Sequence, residues 1–134
     1  MYEYHLWIVL SESTAESDEG GLLQKLGRLR SLVRDTLHPA PAEAVHAVNY
    51  QHVLQCSVAR NHRGDSHERL MAVLTWITTE LPGSHGLVYW YDDEPHEGSL
   101  FDGFRVIVLA RGQLAHRYDP FLSPLVPVVE DRGE

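Results

Sequence analysis

The chain has 134 residues, of which 43% are hydrophobic and 22% charged, which are ordinary values for one globular domain over residues 1–134. Its formal net charge of −8 argues against sequence-independent binding to nucleic acid, which relies on Lys and Arg to neutralise phosphates. The single cysteine, Cys56, excludes an internal disulfide and suits a reducing compartment. The first residues lack a signal-peptide leader, and no apolar run is long enough to span a bilayer. We therefore expect a cytoplasmic protein with no membrane partner.

The first half of the chain carries the patterns of three strands and one helix. Residues 2–10 alternate apolar and mixed side chains, which predicts a strand with one buried face. Apolar residues recur at steps of three and four over residues 22–37, which predicts an amphipathic helix. Two strands follow over residues 44–49 and 52–60. The Tyr-Gln pair at residues 50–51 is a poor sequence for a tight turn, so either an irregular connection or one longer bent ribbon is expected.

The second half of the chain begins with another helix pattern. Asp65 and Glu68 resemble a capping box, and they precede an apolar stripe over residues 70–81. Pro82 and Gly83 end this helix. Three further strands are predicted over residues 87–91, 104–110 and 113–118.

The order of these elements predicts an α+β fold. Both helices would cover one face of a mainly antiparallel sheet of four to six strands, forming a two-layer sandwich. The first six elements match the ferredoxin-like β-α-β-β-α-β arrangement, with an extra C-terminal strand and an extended Pro-rich tail over residues 119–134. Residues 119–129 of this tail are too apolar to hang free in water, so we expect them to lie on the sheet or its edge.

The sheet face away from the helices is expected to carry two tryptophans. We place His5, Trp7, Trp90 and Arg105 on this open face, from the alternation of side chains along their strands. Two exposed tryptophans form an apolar patch that another segment or molecule is expected to cover. The candidates are the Pro-rich tail and a partner molecule.

A cluster of acids follows the strand predicted over residues 87–91. With the adjacent tryptophan, its members are the predicted partner-binding residues: Trp90, Asp92, Asp93, Glu94, Glu97 and Asp102. Trp90 would supply an apolar anchor beside the charge, as aromatic residues do in protein interfaces. Two other interpretations stay open. One is a solvated strand end whose like charges prevent aggregation, and the other is a cation or paired-carboxylate site, although the spacing of a calcium loop is missing.

Motifs for metal binding and catalysis are missing from the sequence. Among the nine histidines, the closest group with the cysteine is Cys56, His62 and His67, which lacks tight ligand spacing, so no metal site and no cofactor are predicted. Cys56 lies on the core face of its strand, where an inert thiol is the usual case. No nucleophile elbow or phosphate loop is present, and the polar residues suggest no nucleophile–base–orienter set. We therefore expect no enzymatic activity.

Several motifs together resemble the immunity protein 7 family of bacterial polymorphic toxin systems. They are Pro82-Gly83-Ser84-x-Gly86-Leu87-x-Tyr89, Asp92-Asp93-Glu94, Phe104-x-Val106, Leu109-Ala110-Arg111-Gly112, Asp119-Pro120-Phe121-Leu122-Ser123-Pro124 and Glu130-Asp131. The turn Asn61-His62-Arg63 and the opening strand around His5-Leu6-Trp7 are also similar to that family. The loop over residues 95–99 diverges from it.

The resemblance implies a non-catalytic inhibitor that binds a cognate toxin domain and neutralises it by occluding its active site. If the toxin is a nuclease, its basic active site would attract an acidic inhibitor. The alternative is a small-molecule-binding or regulatory domain of ferredoxin-like type, and for this domain an edge-paired homodimer stays open. An enzyme that uses His62 and nearby carboxylates is a third interpretation.

Overall fold

The computed structural model describes residues 1–13, 21–37, 43–94 and 103–122. Within these ranges the chain forms six strands and two helices. In chain order they are β1 (Tyr2–Leu10), α1 (Leu22–Thr36), β2 (Val45–Val48), β3 (Gln51–Arg60), α2 (Ser66–Glu80), β4 (His85–Asp92), β5 (Arg105–Ala110) and β6 (Gln113–Tyr118).

The six strands form one sheet in the order β2-β3-β1-β4-β5-β6, and every neighbouring pair is antiparallel. The first four strands have the ferredoxin-like order, and β5 and β6 extend the sheet on the β4 side. The predicted α+β architecture is therefore confirmed.

Strand β1 lies in the middle of the sheet and carries much of the core. Its even-numbered side chains from Tyr2 to Leu10 are all buried, while its odd-numbered ones are more exposed. Antiparallel pairing places directly opposed residues on the same face of a sheet. Leu6 is opposed by Cys56 in β3 and Val88 in β4, and all three are buried.

The helices cover the face formed by these buried residues. Both present the apolar stripe that the sequence predicts, and its buried members are Leu22, Leu26, Leu29, Val33, Leu70, Val73, Leu74 and Ile77. Burying each leucine contributes about 1.5–3 kcal/mol, which outweighs the weaker helix preference of Gly27 in α1.

Two local predictions are wrong. Asp65 makes no side-chain capping bond at the start of α2. Its carboxylate instead accepts a hydrogen bond of 2.7 Å from Arg69 Nε, and this bond lowers the pKa of Asp65. The irregular connection or bent ribbon expected at residues 50–51 is instead a two-residue hairpin turn at Asn49 and Tyr50, because β3 already begins at Gln51.

Several sequence predictions lie outside the described residues. They concern Glu97, Asp102 and the part of the tail beyond residue 122. Within the described part of the chain, neither helix is long and apolar enough to cross a membrane.

Candidate functional site

The acidic strand end, defined as Asp92, Asp93 and Glu94, closes β4 beside the start of β1. Asp92 is opposed by Tyr2 in the pairing of β4 with β1, and the Asp93 N–H donates to the Met1 carbonyl at 3.1 Å. The Glu94 N–H donates to Asp92 Oδ1 at 3.0 Å, which holds the backbone in a tight turn. The sheet and this turn together hold the backbone of all three acids in place.

The side chains of Asp93 and Glu94 meet polar groups from distant parts of the chain. Asp93 accepts a hydrogen bond from the N-terminal ammonium group of Met1, and this bond raises the pKa of that amine. Glu94 Oε1 is hydrogen-bonded to His62 Nδ1. The side chains of Asp93 and Glu94 remain 50% and 44% exposed, so both carboxylates are still accessible to a partner.

Trp90 lies on the helix-covered face of the sheet, so the prediction that places it on the open face is wrong. It is opposed by the buried Tyr4 in β1 and is only 7% exposed. Its ring centroid lies 4.3 Å from that of His67 in α2 and 6.4 Å from that of Tyr2. Trp90 is therefore a core residue that packs on the helix-covered face of the sheet, next to the acidic strand end.

The prediction that places Arg105 on the open face is wrong as well, because Arg105 lies on the helix-covered side. It is opposed by Trp90 in the pairing of β4 with β5. Its guanidinium carbon lies 5.1 Å from the centre of the Trp90 ring and 5.8 Å from that of Tyr118. These distances suit cation–π contacts, which let a charged group cover the edge of the core.

The open face carries His5 and Trp7, as predicted, and Trp7 is 44% exposed. A pocket of about 430 Å³ lies on this face. Aromatic and apolar side chains form part of its lining, namely Trp7, Tyr89, Phe104 and Leu122.

A chain of polar side chains borders the same pocket. Glu3 Oε2 and His5 Nε2 are 2.8 Å apart, and His5 Nδ1 and Ser57 Oγ are also 2.8 Å apart. The sequence analysis did not anticipate that Glu3, His5 and Ser57 lie within hydrogen-bonding distance of one another in this order. The His5 side chain is 48% exposed, and electrostatic stabilisation of a transition state is weak in contact with bulk water. The His5 side chain of this set is therefore in contact with bulk water.

Asp119 is a buried carboxylate, which the sequence analysis placed in a family motif without giving it a role. Its backbone N–H donates to the Phe104 carbonyl at 3.0 Å, and its side chain accepts from the Phe121 and Leu122 N–H groups at 3.2 and 2.6 Å. Burial and the hydrogen bond to Asp119 raise the pKa of Tyr89. Asp119 therefore ties the end of β6 to the open face. The sequence signal for this role was the Asp-Pro pair at residues 119–120, because an Asp side chain commonly accepts hydrogen bonds from backbone N–H groups a few residues later in the chain.

Cys56 is a buried free thiol in the core. Burial raises the pKa of the Cys56 thiol to about 11, so almost none of the reactive thiolate exists near neutral pH. In the part of the chain that the structure describes, no group of three metal-ligating side chains lies close enough to hold an ion. The placement of Cys56 on the core face is confirmed.

Comparison with known proteins gives one finding for nearly the whole chain. The family model described as Immunity protein 7 matches residues 1–131. Comparisons with curated proteins and with solved structures give no significant match. The matched range includes both the acidic strand end and the open face.

Proposed function

The chain belongs to the immunity protein 7 family, and on this premise we propose that it binds a cognate bacterial polymorphic toxin domain and covers the active site of that toxin. In this proposal the chain acts in the cytoplasm as a stoichiometric inhibitor and performs no catalysis of its own. Its partner is the toxin protein, so the function needs neither a nucleic acid nor a membrane.

The observation that carries the proposal is the arrangement of the acidic strand end. Its three carboxylates lie at the end of β4, a strand that pairs on both sides, so their backbone loses little conformational freedom on binding. Negative charge on an inhibitor of net charge −8 speeds its encounter with a basic protein surface. A nuclease toxin would present such a surface, because its active site must attract phosphates.

Protection of living cells tests the proposal directly. The toxin domain encoded by the neighbouring gene is expressed alone, with this chain, or with an unrelated acidic protein of similar size. We expect survival and co-purification of a stoichiometric complex only with this chain. Death of cells that express both proteins in soluble form would contradict the proposed function.

The role of the acidic strand end is tested by charge reversal at its two exposed positions. We expect the double variant Asp93→Lys and Glu94→Lys to associate with a basic toxin domain about tenfold more slowly than the wild type. Asp92 is left unchanged because its side chain holds the turn at Glu94. Stopped-flow measurements over a range of salt concentrations supply the rates, and the wild-type rate should fall as salt rises.

A second double variant serves as the matched control. Asp35→Lys and Glu80→Lys make the same change in net charge, but they place it at the C-terminal ends of the two helices, where positive charge is favourable. This control should keep an association rate within about twofold of the wild type. Equal slowing by both variants would show that net charge matters and the strand end does not.

The open-face pocket supports a second candidate function. Its volume of about 430 Å³ lies within the range of small-molecule sites, as a regulatory ferredoxin-like domain would require. A melting-temperature screen with a metabolite library, without any protein partner, tests this alternative. Sedimentation tests the homodimer, which would pair exposed edges at β2 or β6.

A further inference from the structure

The hairpin that joins β2 to β3 has an unusual residue at its tip. Asn49 and Tyr50 form a two-residue turn with φ angles of 47° and 68°, both in the left-handed region. Hairpin turns of this kind favour Asn or Asp followed by Gly, because Gly lacks the Cβ atom that crowds the backbone there. Asn49 fits this preference and Tyr50 does not.

The same chain contains a second hairpin with the usual solution. Between β5 and β6, Arg111 and Gly112 have φ angles of 54° and 70°, nearly equal to those of Asn49 and Tyr50. The two turns therefore have similar φ angles, and only the first has a bulky residue at its second position. Glycine at position 50 would adopt this geometry with less strain.

The fold does not compensate for the strain at Tyr50. Its side chain is fully exposed, so the ring buries no apolar surface in the folded domain. Val48, which precedes the turn on the edge strand, is also 46% exposed. An exposed aromatic ring in a strained backbone position suggests a benefit that lies outside the isolated chain.

We infer that Tyr50 is a contact residue for the toxin domain, and that its ring inserts into an apolar pocket of that protein. This inference rests on the proposed function. Tyrosine is enriched among the few residues that dominate the affinity of protein interfaces. It supplies a large contact area while only two side-chain torsions become fixed.

The position of Tyr50 also indicates how the toxin lies on this protein. In the sheet register His52 is opposed by Leu10, whereas Arg60 at the other end of β3 is opposed by Tyr2, which pairs with Asp92. The hairpin tip and the acidic strand end therefore lie at opposite ends of the sheet, and the strand from His52 to Arg60 alone spans about 26 Å at 3.3 Å per residue. A toxin domain that contacts both ends must therefore lie along the full length of the strands.

The substitution Tyr50→Gly separates binding from folding. We expect this variant to melt a few degrees above the wild type, because it removes strain from the turn. Its dissociation constant for the toxin domain encoded by the neighbouring gene should rise about tenfold or more, because the buried ring is lost. Titration calorimetry measures the affinity. Tyr50→Asn, which also tolerates a positive φ, should weaken binding in the same way.

Arg111→Gly is the matched control, since it relieves the same kind of strain in the other hairpin. It should melt at or above the wild-type temperature and bind the toxin domain within about threefold of the wild-type affinity. Binding by Tyr50→Gly within the same threefold would overturn the inference, and so would a lower melting temperature, which would assign the ring a role in the fold. If the wild type itself fails to bind the toxin domain, the proposed function is contradicted. If the wild type binds and Tyr50→Gly binds equally well, only the inference about Tyr50 is contradicted, so the two failures are distinguishable.

Discussion

Replacing Trp90 by alanine is expected to lower the free energy of unfolding by about 3–5 kcal/mol, the range for removing a large aromatic side chain from a core. The ring fills the space between the sheet and His67 of α2, and the Arg105 guanidinium lies over it. Its removal would leave a cavity beneath the acidic strand end. Denaturant unfolding followed by circular dichroism measures the effect, with the slope m checked for constancy.

Trp7→Ala is the natural control, because it makes the same substitution on the opposite face of the sheet. Trp7 is 44% exposed, so its loss should cost about 1 kcal/mol. Equal destabilisation by the two substitutions would contradict the burial of Trp90. A Trp90→Ala protein as stable as the wild type but weak in toxin binding would instead support the interpretation of Trp90 as an interface anchor.

Gly86→Ala is expected to destabilise the domain by about 3 kcal/mol, at the upper end of the range for overpacking. A Cβ atom at this position would lie 2.1 Å from the Trp7 carbonyl oxygen and 2.6 Å from Ile8 Cα. Both atoms belong to the backbone of β1, which cannot move aside without breaking its pairing with β3 and β4. Thermal and denaturant unfolding of the purified variant measure the loss.

The same substitution at Gly27 should have the opposite sign. A Cβ atom at this position in α1 would have open space around it, since no other segment among the described residues comes within 4 Å. Alanine also favours helix over glycine by about 0.5–1 kcal/mol. A stabilised Gly27→Ala protein beside a destabilised Gly86→Ala protein would show that the approach of β1 to β4 decides the second result. Similar effects at both sites would refute the close approach.

Patterns within single segments were enough to predict most elements of the fold. The alternation in β1 and the apolar stripes of the two helices arise from the periods of strand and helix, which are properties of local backbone geometry. The order of these elements then limited the topology, because antiparallel strands with two covering helices allow few arrangements. The motifs around Gly86 and Asp119 likewise carried the resemblance to the family that matches residues 1–131.

The faces of β4 and β5 were decided only by the tertiary structure. Residues 87–91 form an unbroken apolar and aromatic run, so their sequence lacks the alternation of apolar and polar side chains that would assign each residue to a face of the sheet. Pairing with Tyr4 directs Trp90 towards the helices, and the register of β5 directs Arg105 there as well. A shift of one residue in this register would reverse both placements.

Polar contacts between distant parts of the chain could not be predicted from the sequence either. His5 meets Ser57 across 52 positions, and His62 meets Glu94 across 32. The sequence by itself determined which segments form strands and helices, because those depend on nearby residues, and that the chain is acidic, because net charge depends on composition alone. The tertiary structure decided which side chains face the helices, which face the open side, and that Tyr50 occupies a left-handed turn, because these depend on strand register and packing between segments far apart in the chain.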